Sequence, residues 1–212
     1  MNKCLDDFTL VFRNKAEEFL QSTRDVSFRL GTLGAEGTTS SMAAKYMKSV
    51  LTENNTSVDI AYFDTFEIVQ KSLLSGEIEY ALVPNAYEGV TNFYWDASLT
   101  PVFYFIHDTP RYGIYTLPSM YKEYSELLGK EHLRIAACPA VYTLINKLLP
   151  EIDIDHLEIV YAPSTESAAN HVSRGLCDLG VTNETSASKY NLSNITDIFR
   201  VEMSWVVFKA NN

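Results

Sequence analysis

Apolar and polar positions along the first half of the chain follow first the period of a strand and then that of a helix. Residues 26–33 alternate and end at a glycine, which predicts a strand followed by a turn. Residues 38–51 have the helical period and begin with the hydroxyl-bearing residues Thr38 to Ser41, a typical helix start. Further strands at 58–63 and 80–84 flank a helix at 66–75. The resulting order β-α-β-α-β favours a parallel sheet.

The second half predicts a similar unit after an irregular middle. Residues 101–107 and 112–117 are two β-rich runs separated by Asp108-Thr109-Pro110-Arg111, which predicts an antiparallel pair.

At the N-terminus, residues 5–23 have the helical period, and we expect a helix lying outside the main fold. The remaining predicted elements are strands at 133–137, 157–161, 179–182 and 203–208 and helices at 141–149, 164–175 and 185–190.

Two successive α/β units joined by extended segments predict an α/β protein of two lobes with a cleft between them. We place lobe 1 at residues 1–90 and 191–212, and lobe 2 at residues 91–190. In open α/β sheets, ligands bind beyond the carboxyl ends of the strands, where helices begin. The loops that follow the predicted strands are therefore the places where a site is expected.

The charge of the chain narrows the range of partners. With 17 basic and 27 acidic residues the formal net charge is -10, and no run of Lys or Arg could neutralise a phosphate backbone. We therefore expect no nucleic-acid partner. The N-terminal segment is interrupted by charges every few positions, and no apolar run approaches the roughly 20 residues that span a bilayer. These features predict a cytoplasmic protein that does not insert into membranes.

Conventional catalytic groups are scarce in the sequence. Cys4, Cys138 and Cys177 have no metal-like spacing and are expected to be small buried hydrophobes. The four histidines also lack the spacing of metal ligands. Three of them lie among charges as solvated side chains do, and His107 lies in an apolar run typical of a core or edge position. No Ser/His/Asp or Cys/His nucleophile motif is present, so we expect no metal site and no such nucleophile.

One loop at a predicted helix start has the features of an anion site. Between Gly31 and Ser41, three glycines allow a tight turn, and hydroxyl-bearing residues including Thr38 and Ser40 begin a helix. Backbone N–H groups and the helix dipole at such a start suit a carboxylate. The same pattern is also that of a turn with a good N-cap. The loop lacks the Lys and the full spacing of a nucleotide-binding loop, which disfavours nucleotides.

Three other loops present the same two alternatives. Asn85 and Tyr87 follow one predicted strand, Ser164 and Thr165 follow another, and Asn183 follows a third. Each side chain taken alone is more often a helix cap or a loop residue than a binding group. Because all four loops lie on the same side of their strands, a shared binding site is favoured.

Four sequence segments occur in an order that is specific to one family. GTLGAEGTTSSMAAKYM is similar to the motif L-G-P-E-G-T-[FY]-[ST], and FDTFEIVQKSLLSGEIEYALVPNAYEGV is similar to F-x-x-V … G-x-x-x-Y-A-V-V-P-I-E-N-S-x-x-G. APSTESAANHV matches S-T-x-x-A-A, and LGVTNETSASKYNL matches A-A-I-A-x-x-x-A-A-x-x-Y-G-L. From about residue 30 to 208 the chain therefore resembles the prephenate dehydratase superfamily. That resemblance implies a two-lobed fold like that of type II periplasmic binding proteins, with the active site in the cleft.

Three departures from the dehydratase pattern distinguish the chain within this superfamily. The loop P-I-E-N-S-x-x-G is here the shorter segment 84–89. Because the sequence stops at Asn212, we expect no ACT regulatory domain. The T-R-F motif, whose Thr is the acid that expels the ring hydroxyl, is here Met203-Ser204-Trp205. Segments of the form T-L-G-x-E-G-T, V-P-x-A-Y-[DE]-G, D-T-P-x-Y-G and M-S-W make the chain similar to the prephenate decarboxylases of bacilysin, aeruginosin and salinosporamide pathways.

The resemblance implies decarboxylation of prephenate to a dihydro-4-hydroxyphenylpyruvate, without aromatisation, as the first step of a non-ribosomal peptide or antibiotic precursor pathway. On this hypothesis Met203 and Trp205 leave the ring hydroxyl without an acid, and Ser204, Tyr87 or a bound water protonates carbon. No metal or organic cofactor is implied, and a homodimer is expected from relatives. The residues expected to bind substrate come from the four loops and from the one basic residue inside a motif: Thr38, Ser40, Asn85, Ser164, Thr165, Asn183 and Arg111.

Two alternatives remain open from the sequence. The first is a prephenate dehydratase without an ACT domain, which would make phenylpyruvate. The second is a non-enzymatic small-molecule-binding protein, because periplasmic solute receptors share the two-lobed architecture. Fold resemblance cannot separate these functions.

Overall fold

The computed structural model describes residues 3–34, 36–121, 132–150, 152 and 157–211. It divides into two compact units, one formed by Met1–Thr109 with Glu202–Asn212 and the other by Pro110–Val201. Its elements, in chain order, are α1 (Lys3–Thr23), β1 (Ser27–Leu33), α2 (Thr39–Glu53), β2 (Ser57–Phe63), α3 (Phe66–Leu74), β3 (Tyr80–Pro84), α4 (Val90–Tyr94), β4 (Leu99–Asp108), β5 (Tyr112–Thr116), α5 (Pro118–Tyr121), β6 (Leu133–Ala137), a 3₁₀ turn (Pro139–Val141), α6 (Leu144–Leu148), β7 (Leu157–Tyr161), α7 (Thr165–Ser173), β8 (Leu179–Asn183), α8 (Glu184–Lys189), β9 (Ser193–Asn194) and β10 (Glu202–Ala210).

Each unit is built around one mixed five-stranded sheet. The first sheet has the order β2-β1-β3-β10-β4, in which β1 runs parallel to β2 and β3 while β10 is antiparallel to both of its neighbours. The second has the order β7-β6-β8-β5-β9, in which β6 runs parallel to β7 and β8 while β5 is antiparallel to β8 and β9. The predicted α/β class is confirmed. The predicted strands and helices recur with small shifts at their ends, whereas α4, α5 and β9 were not predicted.

The predicted antiparallel pairing of residues 101–107 with 112–117 is wrong. Strand β4 pairs with β10, whereas β5 pairs with β8 and β9 in the other sheet. The physical reason lies in β10, whose residues Trp205 to Phe208 are all at most 1% exposed. A strand buried on both faces lies inside a sheet and needs a neighbour on each side. Strand β3 supplies one neighbour and β4 the other.

This pairing also moves the division between the units. The boundaries between the two compact units lie at residues 109/110 and 201/202, whereas the sequence predicts them at 90/91 and 190/191. Because β4 completes the first sheet, β4 and the preceding α4 belong to the first unit. Strand β9 adds to the edge of the second sheet, so the segment after residue 190 belongs to the second unit.

The expectation that the N-terminal helix lies outside the main fold is also wrong. Phe19 of α1 is only 3% exposed, stacks on Phe103 with ring centroids 4.9 Å apart and meets the edge of Tyr80 at 5.4 Å. Lys15 Nζ donates a hydrogen bond of 2.9 Å to the Pro101 carbonyl. Helix α1 therefore covers part of the first sheet, where it shares an apolar cluster with α2.

Two apolar clusters fill the two faces of the first sheet. On one face, Trp205 and Val207 of β10 pack with residues of α1 and α2. On the other face, Val206 and Phe208 pack with residues of α3 and α4. The alternation of side chains along β10 thus decides which helix pair each residue meets. In the parts of the chain that the structure describes, no helix is long and apolar enough to cross a membrane.

The packing of α1 can be tested by truncating its aromatic residues. We expect Phe19→Ala to lower the free energy of unfolding by about 3 kcal/mol or more, because it removes a fully buried ring and leaves a cavity. The control is Phe12→Ala, since Phe12 lies on the same helix but is 50% exposed, and it should cost less than about 1 kcal/mol. Urea titrations followed by circular dichroism measure both values. Equal, small losses would mean that α1 does not belong to the core.

Candidate active site

The loop between β1 and α2 turns sharply and ends in a helix cap. Gly34 and Gly37 have φ values of 88° and 90°, a region that glycine adopts without strain. Thr38 is the N-cap of α2, and its Oγ1 accepts a hydrogen bond of 3.2 Å from the Ser41 backbone N–H. The predicted N-cap is confirmed, and Ser40, which is buried, lies in the first helical turn. The carboxylate site at this helix start remains a prediction.

Two contacts around the start of α2 were not anticipated. Glu36 in the loop forms an ion pair with Lys45, so its negative charge is balanced locally and opposes an anion less. The Ser41 hydroxyl lies 3.0 Å from the hydroxyl of Tyr62, which follows from β2 lying beside β1. The sequence contained no signal for either contact, because both depend on which chain segments become neighbours.

Strand β10 brings Ser204 next to the loop that follows β3. The Asn85 backbone N–H donates to the Ser204 carbonyl at 3.0 Å, and Asn85 Nδ2 donates to Ser204 Oγ at 3.1 Å. The amide oxygen of Asn85 accepts a 3.0 Å hydrogen bond from the Tyr94 hydroxyl. Two residues predicted from different motifs, Asn85 and Ser204, are therefore in direct contact. Tyr94, which the sequence did not single out, is their third partner.

Tyr87 is engaged with a carboxylate. Its hydroxyl donates a 2.7 Å hydrogen bond to Glu67 Oε1. Partial burial, together with this bond to an anion, raises the pKa of Tyr87 to about 12, and the same bond lowers the pKa of Glu67. A Cβ at Gly89 would lie 2.5 Å from the Tyr87 hydroxyl oxygen, so glycine makes room for the ring. A tyrosine held this way is a weaker acid than a free one.

Met203 and Trp205 lie on the opposite face of β10 from Ser204. Both pack into the cluster under α1 and α2, where Met203 is half-buried and Trp205 is 1% exposed. The buried indole Nε1 has no hydrogen-bond partner among the described residues. The indole is fully covered in this conformation, and Met203 is the more accessible of the two side chains.

In the second unit, three predicted residues converge at the carboxyl ends of β7 and β8. Ser164 is the N-cap of α7, and its Oγ accepts a 3.1 Å bond from the Ser167 N–H. Asn183 caps α8 by accepting from the Ser186 N–H at 2.8 Å, and its Nδ2 donates to Thr165 Oγ1 at 3.2 Å. Asn183 is 0% exposed, and both ends of its amide are engaged.

Arg111 lies at the same end of the second sheet. Its carbonyl accepts a 2.9 Å bond from the Glu184 N–H, beside Asn183, because Tyr112 is in register with Asn183. The Arg111 side chain is exposed. One end of the second sheet thus holds the positively charged Arg111 side chain and the starts of two helices, α7 and α8.

The remaining ionisable groups add little to the site. Cys138 and Cys177 are buried, as expected, and burial raises the pKa of each thiol. His107 lies on the edge strand β4 and stacks on Tyr46 with centroids 4.4 Å apart. His171 was expected to be solvated but is half-buried, and its Nδ1 has no partner in the described part of the chain.

Some of the other ionisable residues whose surroundings were predicted from the sequence lie outside the described residues. His132 is exposed, as expected, whereas His156 and the side chain of Cys4 lie outside the described residues. Across the described ranges, no group of three or more His, Cys, Asp or Glu side chains is arranged to hold a metal ion.

Comparison with solved structures defines the class of fold. The periplasmic VFT2 domain of BvgS from Bordetella pertussis matches with a TM-score of 0.56 and 16% identity, covering 92% of this chain and 84% of that domain. A putative methionine-binding lipoprotein from Bacillus subtilis matches with a TM-score of 0.57 and 13% identity, covering 85% and 83%. The chain has the two-lobed α/β fold of type II periplasmic-binding-protein-like domains. At these identities the likeness concerns the fold alone.

Comparison with characterised sequences identifies the family. A prephenate decarboxylase from Planktothrix agardhii is 34% identical over 193 residues, which cover 90% of this chain and 93% of the relative. A prephenate decarboxylase from Bacillus subtilis is 33% identical over 180 residues, covering 84% and 85%. No protein-family model matches the chain. The chain belongs to the prephenate decarboxylase family.

Asn183 and Asn85 differ in burial, and making the same substitution at both positions tests what this difference contributes to stability. We expect Asn183→Ala to lower the free energy of unfolding by about 2 kcal/mol, because it removes a helix cap and leaves a buried threonine hydroxyl without its partner. Asn85→Ala should cost about 1 kcal/mol or less, since Asn85 is only partly buried. Chemical denaturation of both variants provides the comparison. A wild-type midpoint for Asn183→Ala would contradict the structural role of this amide.

Proposed function

We propose that this chain is a carboxy-lyase that decarboxylates prephenate and leaves the ring non-aromatic. The observation that carries the proposal is the match, over most of both chains, to relatives named prephenate decarboxylase at 33–34% identity. The Met203-Ser204-Trp205 motif, which stands where dehydratases have T-R-F, supports the non-aromatising outcome. The names of these relatives do not favour the dehydratase or the binding-protein alternative.

The chemistry has two outcomes that differ in where a proton goes. Prephenate carries a ring carboxylate, a pyruvyl side chain and a hydroxyl at C4. When CO2 leaves, its bonding electron pair enters the ring. If an acid protonates the C4 hydroxyl, water departs and the ring becomes aromatic. If no acid reaches that oxygen, the electron pair shifts through the diene, a ring carbon is protonated and the hydroxyl is retained.

Met203 supports the second outcome. A thioether has no proton to donate, so a Met in place of the dehydratase Thr leaves the C4 hydroxyl without an acid. The buried Trp205 beneath it supports this apolar side of β10. Because aromatisation is strongly downhill, the protein has to withhold a proton rather than push the reaction towards the less stable product.

Helix starts and one arginine are the proposed carboxylate contacts. Thr38 and Ser40 at the start of α2 would hold one carboxylate, and Ser164 and Thr165 at the start of α7 the other carboxylate or the keto group. The exposed Arg111 supplies positive charge at the α7 end. Asn183 would act through Thr165, since its own amide is engaged on both sides.

Several further features remain predictions from the sequence and the resemblance. They are the location of the site in a cleft between the lobes, a homodimer, a cytoplasmic location, the absence of a nucleic-acid partner and the role in an antibiotic or peptide precursor pathway. The net charge of -10 supports the absence of a nucleic-acid partner.

Incubation with prephenate in heavy water tests the reaction. We expect release of CO2 and a product whose NMR spectrum contains the retained carbinol proton together with one deuterated ring carbon. A protein inactivated by heat is the control, because prephenate also decomposes without an enzyme. Enzymatic growth of phenylpyruvate would favour the dehydratase instead, and tight ligand binding without turnover would favour a binding protein.

Restoring the hydroxyl at position 203 tests how aromatisation is avoided. We expect Met203→Thr to raise the phenylpyruvate fraction by roughly tenfold or more, a small part of what a well-placed acid contributes. Met203→Leu is the matched control, since it has a similar volume and no donor, and should keep the wild-type product ratio. The products are separated by chromatography. The same product ratio in both variants would show that Met203 does not control the outcome.

A further inference from the structure

Three side chains at the carboxyl end of β3 form a hydrogen-bonded chain with a defined direction. The Tyr94 hydroxyl donates to Asn85 Oδ1 at 3.0 Å, and Asn85 Nδ2 donates to Ser204 Oγ at 3.1 Å. An amide nitrogen can only donate, so the Ser204 oxygen is the acceptor in this contact. The hydrogen of the Ser204 hydroxyl therefore points away from Asn85. Ser204 is exposed, and no described residue accepts this hydrogen.

The orientation of the Asn85 amide sets the direction of this chain, and Tyr94 is the partner of its acceptor end. A carboxamide that is turned by 180° exchanges its donor and acceptor ends, and a serine hydroxyl can bond either end. In the turned orientation, Asn85 Oδ1 would accept the Ser204 hydrogen and occupy it. A tyrosine hydroxyl can also donate or accept, so Tyr94 fits either orientation; in the structure it donates to Oδ1. A substrate that accepts the Ser204 hydrogen would favour this orientation, because it adds a third hydrogen bond in the same direction. The backbone bond from Asn85 N–H to the Ser204 carbonyl keeps the two residues together in either case.

Tyr94 is held in place by packing and keeps its proton. It is the last residue of α4, and its ring packs edge-on against Phe208 with centroids 5.0 Å apart. Partial burial, with a contribution from the neighbouring Tyr104, raises the pKa of Tyr94 to about 12. Its hydroxyl therefore stays protonated near neutral pH, and the direction of the chain does not reverse by ionisation.

We propose that Ser204 donates the proton to carbon after CO2 leaves, and that Tyr94, acting through Asn85, is the positioning residue for that proton. This proposal rests on the proposed function. Tyr87, the other tyrosine considered, donates its hydrogen to Glu67 and is a weaker donor for that reason.

The step balances in atoms and electrons. The bond between the ring carbon and the carboxylate breaks, and its electron pair forms a new double bond to the adjacent ring carbon. The π electrons displaced from that position take the Ser204 proton at the next carbon, beside the carbinol. The serine oxyanion is stabilised by the hydrogen bond from Asn85 Nδ2 and recovers a proton from water. Net, one proton from water is consumed for each CO2 released.

The test measures rate and stereochemistry together in the full-length protein. With prephenate in heavy water, we expect Tyr94→Phe to lower kcat about tenfold, as loss of one hydrogen bond does. KM should stay within about twofold, and deuterium should no longer be confined to one face of the ring carbon. Ser204→Ala should lower kcat about a hundredfold, and Ser204→Thr, which keeps a hydroxyl, should recover most of the rate. Tyr142→Phe, which changes a tyrosine of the second unit that is 39% exposed, should behave as wild type.

The outcomes separate this proposal from the proposed function. If the wild-type protein releases no CO2 from prephenate, the proposed function fails. If wild type is active but Tyr94→Phe keeps both its kcat and its deuterium configuration, the positioning role is overturned and the function stands. If Tyr94→Phe does not fold, the exposed Ser204→Ala and Ser204→Thr pair decides, and equal rates in both would overturn the donor role. The NMR signal of the Asn85 side-chain amide checks the geometry without substrate, because Ser204→Ala should shift it and Tyr142→Phe should not.

Discussion

The insertion of β10 between β3 and β4 is the constraint on which the candidate site depends. Four consecutive residues of this strand, Trp205 to Phe208, are buried, so helices must cover both faces and strands must pair with both edges. Side chains alternate along a strand, and a slip of one residue would exchange the two faces. The packing of Trp205 and Val207 under α1 and α2 therefore also fixes Ser204 on the opposite face, beside Asn85. The packing of the core thus determines where the Met203-Ser204-Trp205 motif lies.

Local patterns in the sequence predicted most elements and the parallel strands of the first unit, but not the partners of the antiparallel strands. The runs 133–137 and 157–161 have the predicted bounds because their apolar residues and flanking turn residues are local signals. The partner of residues 101–107 was misassigned because hairpin pairing is only the commonest choice for adjacent strands. The cue lay at residues 205–208, where four successive apolar residues require a central position. In the same way, the apolar face of α1 predicted a helix but did not say which surface Phe19 would cover.

The candidate site was predictable in part, because helix caps and ligand-binding groups use the same residue types. Thr38, Ser164 and Asn183 all accept hydrogen bonds from the first turn of a helix. The sequence could not tell whether a cap also binds a ligand. The structure distinguishes the two cases by the hydrogen-bonding groups that a cap still has available for a ligand. Ser164 Oγ accepts a bond as a cap and keeps its hydrogen, whereas both ends of the Asn183 amide are occupied. Tyr94 was missed because its hydrogen bond to Asn85 exists only in the folded chain.

Selectivity in this reaction depends on which hydrogens the protein keeps from the substrate. On the proposal that Ser204 protonates the substrate, the C4 oxygen would lie near several O–H and N–H groups of the described residues around the carboxyl end of β3. The hydroxyl of Tyr87 is bonded to Glu67 and that of Tyr94 to Asn85, and the Trp205 indole is buried. An acid whose hydrogen is held by an internal acceptor has to break that bond before it can act, which raises the barrier to aromatisation. Ser204 differs because its partner donates to it. A site can thus protonate carbon and spare the hydroxyl by fixing the direction of its hydrogen bonds, without excluding polar groups altogether.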